Sequence, residues 1–209
     1  MGFVVAVDGP AASGKGVIAR RLGEVFGLAV LDTGLLYRAV GAALAREGSG
    51  DIAAIVAGLD PARLEAPSLR TREAGELASR AAADPRVRRA LLDFQRAFAA
   101  REPGAVLDGR DIGTVIAPAA SAKLYVTATP EARAHRRWLQ LSARGESGDL
   151  AGVLADIRAR DARDEGRSAA PMKPAADAVL LDTTDLDIDG AFDAARRIVE
   201  AARAGWEKS

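Results

Sequence analysis

The segment FVVAVDGPAASGKG, residues 3–16, decides the fold of this 209-residue chain. It begins with an apolar run, Phe3 to Val7, without an alternating polar face, which predicts a central strand buried on both sides. A glycine-rich turn follows, and apolar residues at helical spacing come after it. A strand, a glycine-rich turn and a helix in this order predict a loop whose backbone N–H groups cradle phosphate oxygens.

The glycine-rich turn supplies the shape and the charge that the phosphates of a nucleotide require. Gly9 and Gly14 let the backbone turn, the following helix adds the partial positive charge of its N-terminus, and Lys15 can reach the outer phosphates. An ordinary strand-to-helix turn is the alternative, which the agreement of strand, spacing, lysine and helix disfavours. The predicted ATP-binding residues are Gly9, Pro10, Ala11, Ala12, Ser13, Gly14, Lys15, Gly16 and Val17.

One position departs from the usual pattern of such loops. The Ser or Thr that normally follows the lysine and binds magnesium is Gly16 here, and the next residue is Val17. We expect ATP to bind together with Mg²⁺, held chiefly by phosphate oxygens and water, because Mg²⁺ keeps several waters readily. Asp32 and Asp108, at two predicted strand ends, are the expected outer-shell acceptors.

Short apolar runs alternate with longer stretches at helical spacing, a pattern typical of a parallel sheet covered by helices. The sequence therefore predicts an α/β protein with three layers and a five-stranded parallel sheet. The predicted strands are Phe3 to Val7, Leu28 to Leu31, Ala105 to Leu107, Lys123 to Val126 and Ala178 to Leu181. The predicted buried helical stripes include Ile18, Leu22 and Val25, then Val87, Leu91, Phe94 and Phe98, and finally Phe192, Ala195, Val199 and Ala202. Residues 47–71 and 165–177 have little periodicity, which indicates a short inserted segment and a mobile loop.

Composition excludes several classes of protein. The 29 basic and 29 acidic residues leave no formal net charge, which argues against a general nucleic-acid binder. The chain has no cysteine and a single histidine, His135, so disulfides, thiol catalysis and a histidine metal cluster are ruled out. The first apolar run is too short to cross a bilayer and lacks a basic start. We expect a cytoplasmic monomer that binds neither membranes nor nucleic acid.

The kind of phosphate-binding protein can be narrowed further. A guanine-nucleotide switch needs the base-reading motif Asn-Lys-x-Asp, and this chain contains no asparagine. A motor or large ATPase needs a longer chain with coupling elements. A small-molecule kinase is therefore the best interpretation of one compact phosphate-loop domain.

Six motifs, in this order, resemble those of the bacterial cytidylate kinase family over nearly the whole chain. They are GPAASGKG from Gly9, LDTGLLYR from Leu31, DPRVRRALL from Asp84, LDGRDIGTV from Leu107, PEARAHRRWLQL from Pro130, and IRARDARDEGR from Ile157, followed by PMKPAADAVLLDTT. The resemblance implies a phosphate-loop kinase of nucleoside monophosphates that transfers the γ-phosphoryl group of ATP to CMP or dCMP. It implies one domain over residues 1–209, a shortened acceptor-binding insert over 48–102 and a lid over 135–168.

The resemblance also implies roles for individual residues. The acceptor's α-phosphate would be bound by Thr33, Arg38, Arg110 and Arg167. The cytosine edge would be read by Ser79, Arg88 and Asp111, while Asp164 would hold the ribose hydroxyls and Arg160 would bridge towards the phosphates. The implied catalytic residues are Lys15, Arg110, Arg160 and Arg167, and Arg136 and Arg137 fall where the lid starts.

Physical chemistry supports this set of residues. An acceptor phosphate with a second pKa of about 6 is already anionic at neutral pH, so no general base is needed. Catalysis then depends on alignment and on guanidinium groups that offset the repulsion between two anions. Each isolated arginine could instead belong to a solvated surface. Two other functions stay open: a phosphate-loop kinase with another small acceptor, and a non-catalytic nucleotide-binding regulator.

Overall fold

A computed structural model describes residues 2–48, 50–59, 64, 66–146 and 148–208. In this part of the chain, five parallel strands form one sheet in the order β2-β3-β1-β4-β5, so β1 is central as predicted. The strands are β1 (Phe3–Asp8), β2 (Ala29–Asp32), β3 (Gly104–Asp108), β4 (Ala122–Thr127) and β5 (Val179–Asp182). Because all strands are parallel, their carboxyl ends meet at one edge of the sheet.

Helices connect and cover the strands. They are α1 (Lys15–Phe26), α2 (Thr33–Glu47), α3 (Ile52–Ala57), α4 (Arg72–Ala83), α5 (Pro85–Ala99), α6 (Pro130–Ser142), α7 (Leu150–Glu165) and α8 (Ile188–Trp206). A 3-10 turn covers Pro67–Arg70 and a π-helical turn covers Ile112–Ile116. Both Asp84 and Thr129 cap the helix that follows with their side-chain oxygens, and a proline occupies the first position of each helix.

The three predicted layers are confirmed. Residues of α2, α4 and α5 pack on one face of the sheet around Leu36, Leu91 and Leu107. Residues of α1 and α8 pack on the other face around Leu22 and Val199. Helices α6 and α7 form a smaller separate core at the carboxyl edge of the sheet. This arrangement leaves a cleft between that small core and the sheet edge.

Two predicted core residues are wrong. Val25 is 57% exposed, because the end of α1 approaches β2 so closely at Gly23 that a Cβ there would lie 2.2 Å from Val30 Cγ2. Phe94 is 38% exposed, because the buried stripe of α5 includes Gln95 instead. The amide Nε2 of Gln95 donates to the carbonyl of Leu91, which lets a polar side chain occupy the core position.

The two irregular stretches have different structures. Between residues 33 and 103 the described residues form only helices and turns, consistent with a shortened insert that lacks strands. Residues 49, 60–63 and 65 of the predicted insert and residue 147 of the predicted lid lie outside the described residues. The second stretch contains Met172, which is buried and whose amide donates to the Asp164 carbonyl.

Among the described residues, no helix has the length and apolar character needed to cross a membrane.

We predict opposite effects for two helix glycines. Gly41 lies where α2 touches α4, and a Cβ there would be 2.7 Å from the Leu77 carbonyl oxygen. Gly41→Ala should lower the free energy of unfolding by about 1–3 kcal/mol, because the two backbones must separate. Gly205→Ala on α8 meets no atom within 4 Å and should raise stability by up to about 1 kcal/mol. Urea unfolding of both variants checks this, and equal effects would contradict the close contact.

Candidate active site

The predicted phosphate-binding loop joins β1 to α1. Gly9 adopts a φ of 140°, and a Cβ there would lie 2.0 Å from the Val126 carbonyl oxygen, so only glycine fits. Gly14 caps α1 with a left-handed φ of 92°. Ala12 also has a positive φ, of 60°, and its side chain packs against the small core of α6 and α7. The loop therefore has the tight turn that the sequence predicts.

Side chains from three elements hold the carbonyl oxygens of this loop. Lys15 Nζ donates to the Pro10 oxygen at 3.1 Å, and Arg133 Nη1 donates to the Ala11 oxygen at 3.3 Å. The Thr183 hydroxyl lies 3.0 Å from the Ser13 oxygen. With these oxygens engaged, the N–H groups of the loop and of the first turn of α1 are left to bind an anion.

Lys15 is buried beside the last residue of β3. Its ammonium lies 3.7 Å from Asp108 Oδ1, and both side chains are 8% exposed. Burial, reinforced by the nearby Arg110, lowers the pKa of Lys15 to about 8, against the opposing effect of Asp108 and Asp32. Burial raises the pKa of Asp108 to about 6 despite Lys15. A bound polyphosphate would stabilise the protonated lysine at the position where transfer requires positive charge.

Asp32 and Asp108 are the predicted outer-shell metal acceptors. They are partners in the β2-β3 register and end adjacent strands at the carboxyl edge of the sheet. A Cβ at Gly16 would lie 3.2 Å from Asp108 Oδ2, so the position that normally carries the hydroxyl faces this carboxylate directly. Oxygen donors next to the phosphate loop fit the chemistry of Mg²⁺, which prefers carboxylate, phosphate and water ligands.

The predicted acceptor residues surround one buried carboxylate. Asp164 of α7 is 1% exposed and forms ion pairs with Arg110 at 3.2 Å, with Arg160 at 3.8 Å and with Arg167. Burial alone would raise the pKa of Asp164, but the three guanidinium groups outweigh it and lower the pKa below its ordinary value. Arg160 and Asp164 lie one turn apart on α7, whereas Arg167 lies beyond the end of this helix.

The predicted base-reading residues lie next to this cluster. Arg88 of α5 pairs with Asp111, and both side chains are largely buried. Ser79 of α4 donates to Asp164 Oδ1 at 3.3 Å. Thr33, the first residue of α2, donates to the Asp108 carbonyl at 2.8 Å. All eight predicted CMP-binding residues except Arg38 line one cavity of ≈ 40 Å³, so a nucleotide can enter only if these side chains separate.

Arg38 lies at the adjoining cleft between the phosphate loop, α4 and α7, which has a volume of ≈ 390 Å³. Its guanidinium donates to the carbonyls of Leu69 and Thr71. On α4, Gly75 leaves room for two guanidiniums, since a Cβ there would lie 3.4 Å from both Arg38 and Arg160. Burial, with neighbouring arginines, lowers the pKa of Arg38 to about 10 and that of Arg160 to about 9. Such crowding of cations favours a bound anion.

The two arginines at the predicted start of the lid face different ways. Arg136 binds the Thr183 hydroxyl and the carbonyls of Thr183, Thr184 and Leu186, so it supports the loop after β5. Arg137 lines the cleft, and burial lowers its pKa. His135, directly before these two arginines on α6, is exposed.

The predicted lid and the predicted insert contact each other in this structure. Arg72 of α4 pairs with Asp156 of α7, and Arg144 Nη1 donates to the Arg70 carbonyl at 2.7 Å. The Arg72 amide lies 3.5 Å from Glu146 Oε2. Arg70, Arg72, Arg144 and Asp156 also line the cleft.

The sequence analysis did not identify two buried charges at this site. Asp8 accepts hydrogen bonds from the amides of Ile112 and Gly113 at 2.8 and 2.7 Å and so orients the turn after Asp111. Burial, partly offset by these bonds, raises the pKa of Asp8 to about 7. A charged residue directly after a wholly apolar strand is a signal that could have revealed it. Arg133 had no such signal, because it is one of many arginines on amphipathic helices.

Taken together, the loop at the end of the central strand, the strand-end carboxylates and the guanidinium cluster define the class of phosphate-loop kinases of small molecules.

Comparison with known proteins identifies the family. The family model described as cytidylate kinase matches residues 5–64 and 62–201. A cytidylate kinase of Caulobacter vibrioides is 62% identical over 98% of both chains. One from Cereibacter sphaeroides is 58% identical over 98% of both, and one from Rhodopseudomonas palustris is 54% identical over 97% of this chain and 98% of its own. The chain therefore belongs to the cytidylate kinase family.

A solved structure shows the same fold at low sequence identity. An uncharacterised protein from Eubacterium ventriosum superposes with a TM-score of 0.57 at 14% identity, covering 95% of this chain and 99% of its own.

We predict that Asp164 stabilises the fold through its three arginines. Asp164→Asn should lower the free energy of unfolding by about 3 kcal/mol at neutral pH, because it leaves buried guanidinium groups without a counter-charge. The lowered pKa means that this stabilisation is present above pH 3.8, the carboxyl's ordinary value, and is lost as pH falls through the folded-state pKa. Urea unfolding of both proteins from pH 7 to pH 2 measures the difference.

The exposed Glu131–Arg158 pair is a matched control for this measurement. Glu131→Gln should leave stability unchanged, since exposed ion pairs contribute little. A loss for Asp164→Asn that persists unchanged at pH 2 would contradict an electrostatic origin.

Proposed function

We propose that this protein transfers the γ-phosphoryl group of ATP to CMP or dCMP, giving CDP or dCDP and ADP. The observation that carries the proposal is the joint placement of a phosphate-binding loop and a ring of guanidiniums at one sheet edge, with the Arg88–Asp111 pair beside them. The family and the high identity of relatives named cytidylate kinase support the same activity. No observation favours a different acceptor or a non-catalytic regulator.

The proposed acceptor site has three parts, which bind the phosphate, the ribose and the base of the nucleotide. We assign the α-phosphate to Arg110, Arg167 and Thr33, which line the small cavity, and to Arg38, which lines the adjoining cleft, because guanidiniums bind phosphate oxygens bidentately. Asp164 and Ser79 are placed for the ribose hydroxyls. Asp111 can accept from the amino group of cytosine while Arg88 donates to its ring acceptors. Uracil has a carbonyl in place of that amino group, so it would set oxygen against the Asp111 carboxylate.

Binding of CMP would replace ion pairs that the guanidiniums already form within the protein. In this structure Arg110 and Arg167 pair with Asp164, and Arg88 pairs with Asp111. Phosphate oxygens and the cytosine edge offer those guanidiniums equivalent partners. The guanidiniums are therefore already gathered in one place, but they must move away from Asp164 and Asp111 to admit the nucleotide.

The chemical step depends on alignment and charge neutralisation. Lys15 and the loop N–H groups are placed to bind the donor phosphates, and Arg160 lies between them and the acceptor cluster. The acceptor oxygen is already anionic, so no residue has to remove a proton. Mg²⁺ bound with ATP would neutralise charge on the phosphate oxygens, with Asp32 and Asp108 placed to orient its water ligands.

The insert over residues 48–102 and the lid over residues 135–168 are proposed to close over both nucleotides and exclude water. The Arg72–Asp156 pair joins these two segments and supports the proposal. Helix α5 lies within the proposed insert but also packs on the main core through Val87 and Leu91. A monomeric state in the cytoplasm remains a prediction.

The activity is tested by an ADP-release assay with CMP, dCMP, UMP and AMP. We expect kcat/KM for CMP to exceed that for UMP and AMP by at least about a hundredfold, because a polar site rejects a base that leaves buried groups unpaired. Asp111→Asn should lower kcat/KM for CMP by about tenfold to a hundredfold, the value of a hydrogen bond to a charged group. Asp189→Asn, on the surface beside Arg21, is the matched control. Equal rates with CMP and UMP would contradict the proposal.

The metal proposal has its own test. Gly16→Ser places a hydroxyl beside Asp108. We expect the Mg²⁺ concentration for half-maximal activity to fall by about tenfold, which is the size of effect that one hydrogen bond to a charged group has. Val17→Thr adds a hydroxyl one residue further on and should have the smaller effect. Titration of activity with Mg²⁺ at fixed ATP measures both. An unchanged requirement in Gly16→Ser would mean that the ion does not approach Asp108.

A further inference from the structure

Arg133 of α6 is a buried charge that holds the phosphate loop and also contacts the helix that carries Arg160 and Asp164. Its side chain is 4% exposed, and each of its three guanidinium nitrogens has a partner. Nε donates to the Ala128 carbonyl after β4 at 2.8 Å, and Nη1 donates to the Ala11 carbonyl in the phosphate loop at 3.3 Å. Nη2 donates to Asp161 Oδ2 of α7 at 2.6 Å.

These contacts join two sites that must act together. Ala11 belongs to the loop that would bind ATP, whereas Asp161 lies beside Arg160 on the helix that also carries Asp164. An apolar contact also joins the phosphate loop to α6 and α7, because the Ala12 side chain packs against the α6–α7 core that includes Ile157. A displacement of the Ala11 carbonyl therefore acts on the position of α7, and the reverse holds as well.

We propose that Arg133 is a positioning residue that couples occupation of the phosphate loop to the placement of α7, so that ATP and CMP bind cooperatively. The inference rests on the proposed function, because it takes ATP and CMP as the two ligands. ATP binding draws the N–H groups of the loop onto its phosphates and thereby places the Ala11 carbonyl. The Arg133–Asp161 pair then holds α7 where Arg160 and Asp164 meet CMP. Such coupling must be reciprocal between the two ligands.

The chain offers a matched control on the same two helices. Arg158 of α7 and Glu131 of α6 also form an ion pair, at 2.7 Å, but both side chains are exposed and neither contacts the phosphate loop. Loss of that pair removes a contact between α6 and α7 without removing the connection to Ala11.

The test measures the dissociation constant of CMP by calorimetry with and without saturating adenylyl imidodiphosphate and Mg²⁺. We expect the wild-type chain to bind CMP at least about fivefold more tightly with the analogue present, the lower end of measured couplings. Asp161→Ala should bring that ratio below about twofold while CMP affinity without the analogue stays near the wild-type value. Asp161→Asn keeps an acceptor oxygen and should retain part of the coupling, and Arg158→Gln should retain all of it.

A purely structural role for Arg133 predicts a different result. The Asp161 variants would then lose thermal stability and keep the wild-type ratio, which would overturn the inference, as would a ratio of one in the wild-type chain. Arg133→Lys, which can keep one of the three bonds, gives a second measure and should show an intermediate ratio. Failure of the proposed function is distinguished by the rate assay, because a wild-type chain that does not phosphorylate CMP fails before coupling is measured.

Discussion

The site depends on the hydrogen bonds that side chains donate to the carbonyl oxygens of the phosphate loop. A backbone turn has as many acceptors as donors, and it binds anions only if the oxygens are directed away from the ligand. Here Lys15, Arg133 and Thr183 bind three of those oxygens, and each of these side chains comes from a different helix or strand end. The loop's affinity for phosphate is thus a property of the whole sheet edge.

The second constraint is electrostatic. Several guanidiniums lie within one small region, and their mutual repulsion is offset by Asp164 and Asp111. In the function proposed above, the same carboxylates bind the neutral parts of the nucleotide, its ribose and its base. One set of acidic residues can therefore stabilise the fold before binding and confer selectivity during binding, which explains why so many charges are buried in a chain of zero net charge.

Much of the architecture could be predicted from local pattern. The central strand, the order of loop and helix after it, the capped starts of α5 and α6 and the three layers follow from apolar periodicity and from capping residues. The outward positions of Val25 and Phe94 could not be predicted, because they depend on how closely α1 meets Val30 and on Gln95, whose Nε2 donates to the Leu91 carbonyl while its side chain takes the buried position on α5. The different directions of Arg136 and Arg137 likewise depend on the loop after β5, far along the chain.

The sequence by itself determined that the chain binds phosphate next to a central parallel strand, since glycine, lysine and an apolar run are consecutive and act through local geometry. It also indicated which arginines and aspartates lie together at one edge of the sheet, through motifs in a recognisable order. Only the tertiary structure decided which charges pair. Arg133 with Asp161, Asp8 with the amides after Asp111, and Arg72 with Asp156 are each separated by many residues, and no local pattern encodes such contacts. Their partners are selected by burial, where an unpaired charge would be too costly to keep.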